Sequence, residues 1–179
     1  MRIIAGAWRG RPLIAPEGRA TRPTSDRARE GLFSMLQSRL GSFDGLRVAD
    51  LFAGTGALGL EALSRGAAHC LFVDSDRSAV ASIQRNLAAF GAAARADVRN
   101  QGVEHAPPPQ EPRDLLFMDP PYAADLAAMA LGRIRDGWLA PGALVSVETD
   151  GRPLALPDGY SLEAERRFGK AFILLLRLS

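Results

Sequence analysis

Short runs in which nearly every residue is apolar alternate along this chain with longer stretches in which apolar residues recur every third or fourth place. The first pattern suits strands buried on both faces, and the second suits helices laid against them. Residues 1–15 read as a short hairpin, with Ile3, Ile4 and Trp8 before the turn Arg9-Gly10-Arg11-Pro12 and Leu13 and Ile14 after it. A loop follows to Pro23. Thr24, Ser25 or Asp26 can then cap a helix that carries Ala28, Leu32, Met35, Leu36 and Leu40 until Gly41 ends it.

Further on, strands are predicted over 46–52, 69–73, 95–98, 115–118 and 143–148, and helices over 58–65, 77–90 and 126–135. A terminal pair of strands, 161–167 and 171–178, turns around Gly169. The segment 105–112 is a loop, because its prolines cannot pair inside a sheet. Alternation of this kind predicts βαβ units: an α/β fold with a mostly parallel sheet covered by helices on both faces.

Two of the predicted strands end in chemistry. Phe52-Ala53-Gly54-Thr55-Gly56-Ala57-Leu58-Gly59 follows the first strand and opens a helix, so Gly54, Gly56 and Gly59 satisfy G-x-G-x-x-G in the context that motif needs. Asp74, about 20 residues on at the end of the next strand, can bind both hydroxyls of a ribose. A dinucleotide and S-adenosylmethionine both use this arrangement. Asp50, just before the loop, repels a pyrophosphate and attracts the ammonium group of a methionine moiety, which favours S-adenosylmethionine. Asp97, after the third strand, is placed to accept a hydrogen bond from an adenine amino group.

The second motif is Asp119-Pro120-Pro121-Tyr122, directly after the apolar run 115–118. An exocyclic amine on a nucleobase is a poor nucleophile, because its lone pair is delocalised into the ring. The Asp119 carboxylate and the Pro120 carbonyl can each accept an amine hydrogen, drawing that pair out of plane, while two prolines fix the loop and Tyr122 stacks on the extruded base. The motif alone fits guanine, adenine or cytosine.

Composition narrows the partners. At 179 residues and 47% apolar, the chain supports one sizeable core and leaves no room for a separate target-recognition domain. Net charge is only +2, yet Arg2, Arg9, Arg11, Arg19, Arg22, Arg27 and Arg29 crowd the first thirty positions. Planar guanidinium forks suit phosphate and stack on bases, so Arg2, Arg9, Arg11, Arg22 and the aromatic Trp8 are candidate RNA contacts. Trp8 can equally anchor the hairpin to the domain. Cys70 is the only cysteine and the histidines stand apart, so no metal site is expected. No apolar run reaches the roughly 18 residues that span a bilayer. A cytoplasmic monomer is expected.

Arg2-Ile3-Ile4-Ala5-Gly6 with Trp8-Arg9-Gly10, Arg22-Pro23-Thr24-Ser25-Asp26-Arg27, Asp50-Leu51-Phe52-Ala53-Gly54-Thr55-Gly56-Ala57-Leu58-Gly59-Leu60-Glu61-Ala62 and Asp119-Pro120-Pro121-Tyr122 occur in this order. Together they resemble the RsmD family of bacterial 16S ribosomal RNA guanine-N2 methyltransferases. That resemblance implies a Rossmann-like class I methyltransferase with a seven-stranded sheet, S-adenosylmethionine as donor, and a guanine of 16S ribosomal RNA or the assembling small subunit as acceptor. It implies that Asp50, Phe52, Ala53, Gly54, Gly56 and Asp74 line the cofactor site and that Asp119, Pro120 and Tyr122 hold the base. The stretch holding Thr24 would close over the cofactor or touch RNA. Residues 1–23 would form an RNA-contacting extension and 24–179 the methyltransferase domain. Phe168-Gly169 stands where the family often carries tyrosine, so no hydroxyl chemistry is expected there.

Overall fold

A computed structural model describes residues 1–18, 24–121 and 124–179. Its first helix, α1 (Asp26–Leu40), begins where the Ser25 hydroxyl accepts a hydrogen bond from the Ala28 amide at 3.1 Å. It ends at Gly41, whose φ of 74° lies in the left-handed region that glycine enters without strain. The chain then alternates β1 (Arg47–Leu51), α2 (Ala57–Ser64), β2 (His69–Asp74), α3 (Arg77–Ala89), β3 (Ala96–Asn100), β4 (Arg113–Met118), α4 (Ala124–Ile134) and β5 (Leu139–Thr149). The antiparallel hairpin β6 (Tyr160–Phe168) and β7 (Ala171–Leu178) closes it.

These strands form one seven-stranded sheet in the order β3-β2-β1-β4-β5-β7-β6. β1 to β5 are parallel, and β7 joins β5 antiparallel. Period-two alternation divides the apolar side chains between two layers. Val48, Cys70, Phe72 and Phe117 face α1, α2 and α3, whereas Ala49, Leu71, Val73 and Leu116 face α4. All carboxyl ends of the parallel strands therefore share one edge, where β1 and β4 deliver the two motifs side by side. The strand order reverses between β1 and β4, and crevices at such reversals are where open α/β sheets bind ligands.

The expected N-terminal hairpin is present and short: around the antiparallel bridge of Arg2 and Pro12, the Ile3 amide donates to the Arg11 carbonyl and the Leu13 amide to the Met1 carbonyl at 3.0 Å, and the Gly10 amide to the Ile3 carbonyl at 2.8 Å. Beyond Ile3 the amides turn to α2 instead. Ile4 and Ala5 donate to the Glu61 carboxylate at 2.9 Å each, Trp8 donates to Ser64 Oγ at 3.0 Å, and Ala7 to the Ser64 carbonyl at 2.8 Å. Gly6, at φ 87°, lets the backbone pass so near the Ser64 carbonyl that no Cβ fits. Ile3 is fully buried, so this segment shares the core of the domain. β5 also starts earlier than expected, because a register shift opposite Arg113–Leu115 absorbs Pro141 and Gly142.

Candidate active site at the carboxyl edge of the sheet

β1 leaves the sheet through Phe52, whose φ of 55° is the only left-handed non-glycine value among the described residues. Such a conformation costs on the order of 1–3 kcal/mol and persists only where its surroundings hold it. Here Ala53 donates to the Val73 carbonyl at 3.2 Å, and Gly54 donates to Asp74 Oδ2 at 2.8 Å. Gly54 and Gly56 follow at φ 57° and 76°. A Cβ at Gly54 would meet nothing within 4 Å, so that glycine is required for backbone rotation and leaves open space above the loop.

Gly59 is required for a different reason. A Cβ there would lie 2.7 Å from Cys70 Sγ and closer still to the Phe72 ring, so α2 can approach the sheet only without it. Gly59→Ala is expected to destabilise the fold by about 1–3 kcal/mol through overpacking. Denaturant unfolding reads this as a lower midpoint at unchanged slope.

Three carboxylates converge on this edge. Asp74 ends β2 and accepts from the Gly54 and Asp76 amides, one on each oxygen, at 2.8 Å. Asp50, 2% exposed, accepts from the Gly59 amide at 2.9 Å and so holds the first turn of α2. Asp119 follows Met118, which lies between Leu51 of β1 and Val147 of β5. Burial pushes the Asp50 carboxyl well above the usual range, and the negative charges of Asp119 and Asp74 add to the shift, against the Gly59 hydrogen bond. A cluster of this kind is complementary to a cation. Thr24 reaches the same edge, donating to Glu148 Oε2 near the end of β5 at 2.9 Å. Pro120 is half-buried and Pro121 exposed, while Tyr122 and Arg22 lie outside the described residues.

Asp97 is a correction. β3 runs to Asn100, two residues past its expected end, so Asp97 lies near its start, opposite Leu71 and 3.4 Å from His69 Nε2 at the beginning of β2. It belongs to the amino edge and cannot serve a ligand on the glycine loop. The residue of β3 at the carboxyl edge is Asn100, opposite Asp74 and donating to the Asp74 and Ser75 carbonyls at 3.1 Å.

Trp8 does not present a free face either. It is 9% exposed and stacks on Phe90 with ring centroids 4.8 Å apart, which is the anchoring role. Arg11 lies over the other partner of that stack, 4.5 Å from the Phe90 centroid, and donates to the Ala89 carbonyl at 2.7 Å. Arg2 stands 3.8 Å from Asp26. Arg9 is exposed, and its guanidinium has no hydrogen-bond or ion-pair partner among the described residues.

Behind the site stand two buried charges that periodicity alone passes over. Glu61, inside the otherwise apolar α2, receives the Ile4 and Ala5 amides and Arg65 Nε at 3.0 Å, with Arg29 Nη1 at 3.6 Å. Arg29, also fully buried, donates to the Arg2 carbonyl at 2.7 Å and Asp26 at 2.6 Å. The available signal was a charge at a core phase of each helix. Among the described residues no His, Cys, Asp and Glu side chains group as a metal site, and no helix is long and apolar enough to cross a membrane.

Comparison with known proteins gives the same picture. The family model described as Conserved hypothetical protein 95 matches residues 1–177. Ribosomal RNA small subunit methyltransferase D of Escherichia coli K12 is 38% identical over 174 residues, 95% of this chain and 86% of that protein. The solved structure of Escherichia coli yhhF superposes with a TM-score of 0.87 at 34% identity, over 100% of this chain and 98% of that one. A magnesium protoporphyrin IX methyltransferase from Synechocystis with bound SAM, 14% identical at TM-score 0.67 over 91% of this chain and 86% of its own, shares the fold alone. The chain belongs to the Conserved hypothetical protein 95 family, that of ribosomal RNA small subunit methyltransferase D.

Proposed function

We propose that this protein transfers a methyl group from S-adenosylmethionine to the exocyclic N2 amine of a guanine in 16S ribosomal RNA, free or in the assembling small subunit. The observation that carries the reading is the adjacency of β1 and β4, which sets the glycine loop and Asp50 beside Asp119. The residues present fit the donor. The open backbone at Gly54 accepts close approach, Asp74 keeps lone pairs for ribose hydroxyls, and the Asp50, Asp74 and Asp119 charges suit an ammonium and a sulfonium. Bound there, S-adenosylmethionine supplies an electrophilic methyl group.

The chain's own residues would do the rest. Asp119 and the Pro120 carbonyl accept the amine hydrogens, which turns the nitrogen lone pair outward. Asp119 also stabilises the positive charge that grows on nitrogen and stands ready to take the departing proton. Tyr122 covers the base. Residues 1–23 act as the RNA-contacting extension of a 24–179 methyltransferase domain, with Arg9 the arginine best free to reach phosphate.

The reading predicts a pH dependence. A cation binds ionised Asp50 and not the neutral acid, so affinity for S-adenosylmethionine rises as pH rises through the elevated Asp50 pKa, and a proton is released on binding. The ligand-free fold has the opposite sign. Its folded-state pKa is raised, so the stability from protonated Asp50 is present at low pH and lost as pH rises through that value. Asp50→Asn flattens both profiles, raises ligand-free stability and weakens binding about tenfold to hundredfold, since a charged hydrogen bond contributes about 1.5–3 kcal/mol. Calorimetry in two buffers of different ionisation heat reads the proton directly. The function itself is tested by transfer of labelled methyl to small-subunit RNA and to small-subunit particles; no label and no calorimetric binding would leave an RNA-binding protein without catalysis.

A further inference from the structure

A groove of about 620 Å³ runs between the N-terminal segment and the exposed stripe of α1, away from the glycine loop. Its walls include Arg9, the α1 side chains Glu30, Ser34, Gln37 and Ser38, and Arg65 at the end of α2. The four α1 residues fall at spacings of four, seven and eight from the first, so they share one helix face. Ser34 and Ser38 are exposed, and among the described residues their hydroxyls make no hydrogen bond. The Arg65 guanidinium lies over Phe33, 4.7 Å from the ring centroid, with Nε donating to Glu61; its two terminal nitrogens have no hydrogen-bond partner among the described residues. Arg9 lines the same groove, and its guanidinium has no partner among the described residues.

We infer that this groove receives the sugar–phosphate backbone of the RNA strand beside the target guanine, an assignment that rests on the RNA methyltransferase reading above. Two guanidinium groups with unused donors in one groove can grip phosphates, and the two hydroxyls that line it with them can meet phosphate or ribose 2′-OH oxygens. The Arg65 fork is held flat by the ring and by Glu61, so little side-chain entropy is lost when an anion arrives. The Glu30 carboxylate, exposed at the groove's edge, suits a base amino group rather than a phosphate. Position sets the kinetic signature. The eight residues of α2 separate Arg65 from the glycine loop by about 12 Å, so the groove holds a neighbouring nucleotide and not the reacting one. It acts on RNA binding and not on the chemical step.

The test uses the full chain with Ser34→Glu/Ser38→Glu, which places two negative charges on an exposed helix face without disturbing the core, and Arg9→Ala. Arg135→Ala, beyond α4 on the other face of the sheet, is the control. Small-subunit RNA is the probe, read by both methyl transfer and direct binding across a salt series. The double variant raises KM for RNA at least tenfold with kcat at saturating RNA and S-adenosylmethionine affinity unchanged. Arg9→Ala lowers the slope of log affinity against log salt by about 0.7, one phosphate on a single strand. Arg135→Ala matches wild type. Wild-type RNA affinity and salt slope in the groove variants overturn the proposal. So does unchanged binding of naked RNA with activity lost only on small-subunit particles, which assigns the groove to a ribosomal protein. Failure of the underlying function looks different: wild type then transfers no methyl, while direct binding still reports whether the groove holds RNA.

Discussion

Asp119→Ala lowers kcat for methyl transfer by about 10²–10³, the usual cost of removing one preorganised group that stabilises developing charge. The site explains why the loss falls on turnover. Asp119 follows directly on the end of β4 and precedes two prolines, so its backbone is held in place before the amine arrives. KM for RNA and affinity for S-adenosylmethionine stay within a few-fold, because base and donor keep their other contacts. The variant also reports on Asp50. Loss of the neighbouring negative charge brings the Asp50 carboxyl back toward the ordinary range, so the pH profile for donor binding moves to lower pH. Asp119→Asn keeps an oxygen acceptor without the charge and falls between the two. Steady-state kinetics at saturating RNA checks the claim, and an unchanged kcat in the alanine variant would remove Asp119 from the reaction.

Glu61→Ala has the largest effect on the fold. Its carboxylate is fully buried and serves two backbone amides, Arg65 and Arg29 at once. Removing one partner of a buried ion pair costs up to about 3–5 kcal/mol, and here buried Arg29 is left with the half-exposed Asp26 as its remaining counter-charge. The Ile4 and Ala5 amides are orphaned as well, at about 1–3 kcal/mol each. Against a typical total stability of about 5–15 kcal/mol, this brings the protein close to unfolding. Hydrogen exchange rises first in residues 1–14, since that segment loses its only side-chain anchor on α2 besides Ser64. Arg29→Met combined with Glu61→Leu removes both charges and regains much of the stability, but leaves the Ile4 and Ala5 amides exposed to exchange. Denaturant unfolding of the two variants separates the ion pair from the amide contacts. Equal destabilisation of single and double variants would contradict it.

Local signals carried much of this structure. Ser25 and Gly41 delimit α1 by hydrogen bonding and backbone rotation that each needs only its neighbours. The glycine loop was legible in its spacing: Gly54 and Gly56 answer left-handed positions within the loop itself, and Gly59 answers the approach of α2 to Cys70 and Phe72 on the next strand. Errors arose where partners distant in sequence decide. The length of β3 depends on pairing with β2 through Asp74–Asn100, and a two-residue extension moved Asp97 to the wrong edge of the sheet. Residues 1–15 form the short hairpin their periodicity suggests, but its docking was not legible, because Glu61 and Ser64, over fifty positions away, take the Ile4, Ala5 and Trp8 amides. Trp8 stood open between RNA contact and anchor, and its stacking on Phe90, over eighty positions away, supports the anchor.

A donor site on β1 joined to a base grip on β4 is tested most sharply by the identity of the modified nucleoside. Small-subunit RNA is incubated with the protein and S-adenosylmethionine carrying a labelled methyl group, digested to nucleosides and resolved by mass and retention. The account predicts N2-methylguanosine at a single position, absent with Asp119→Ala. Label in N6-methyladenosine or N4-methylcytidine, or undiminished label with Asp119→Ala, would contradict it.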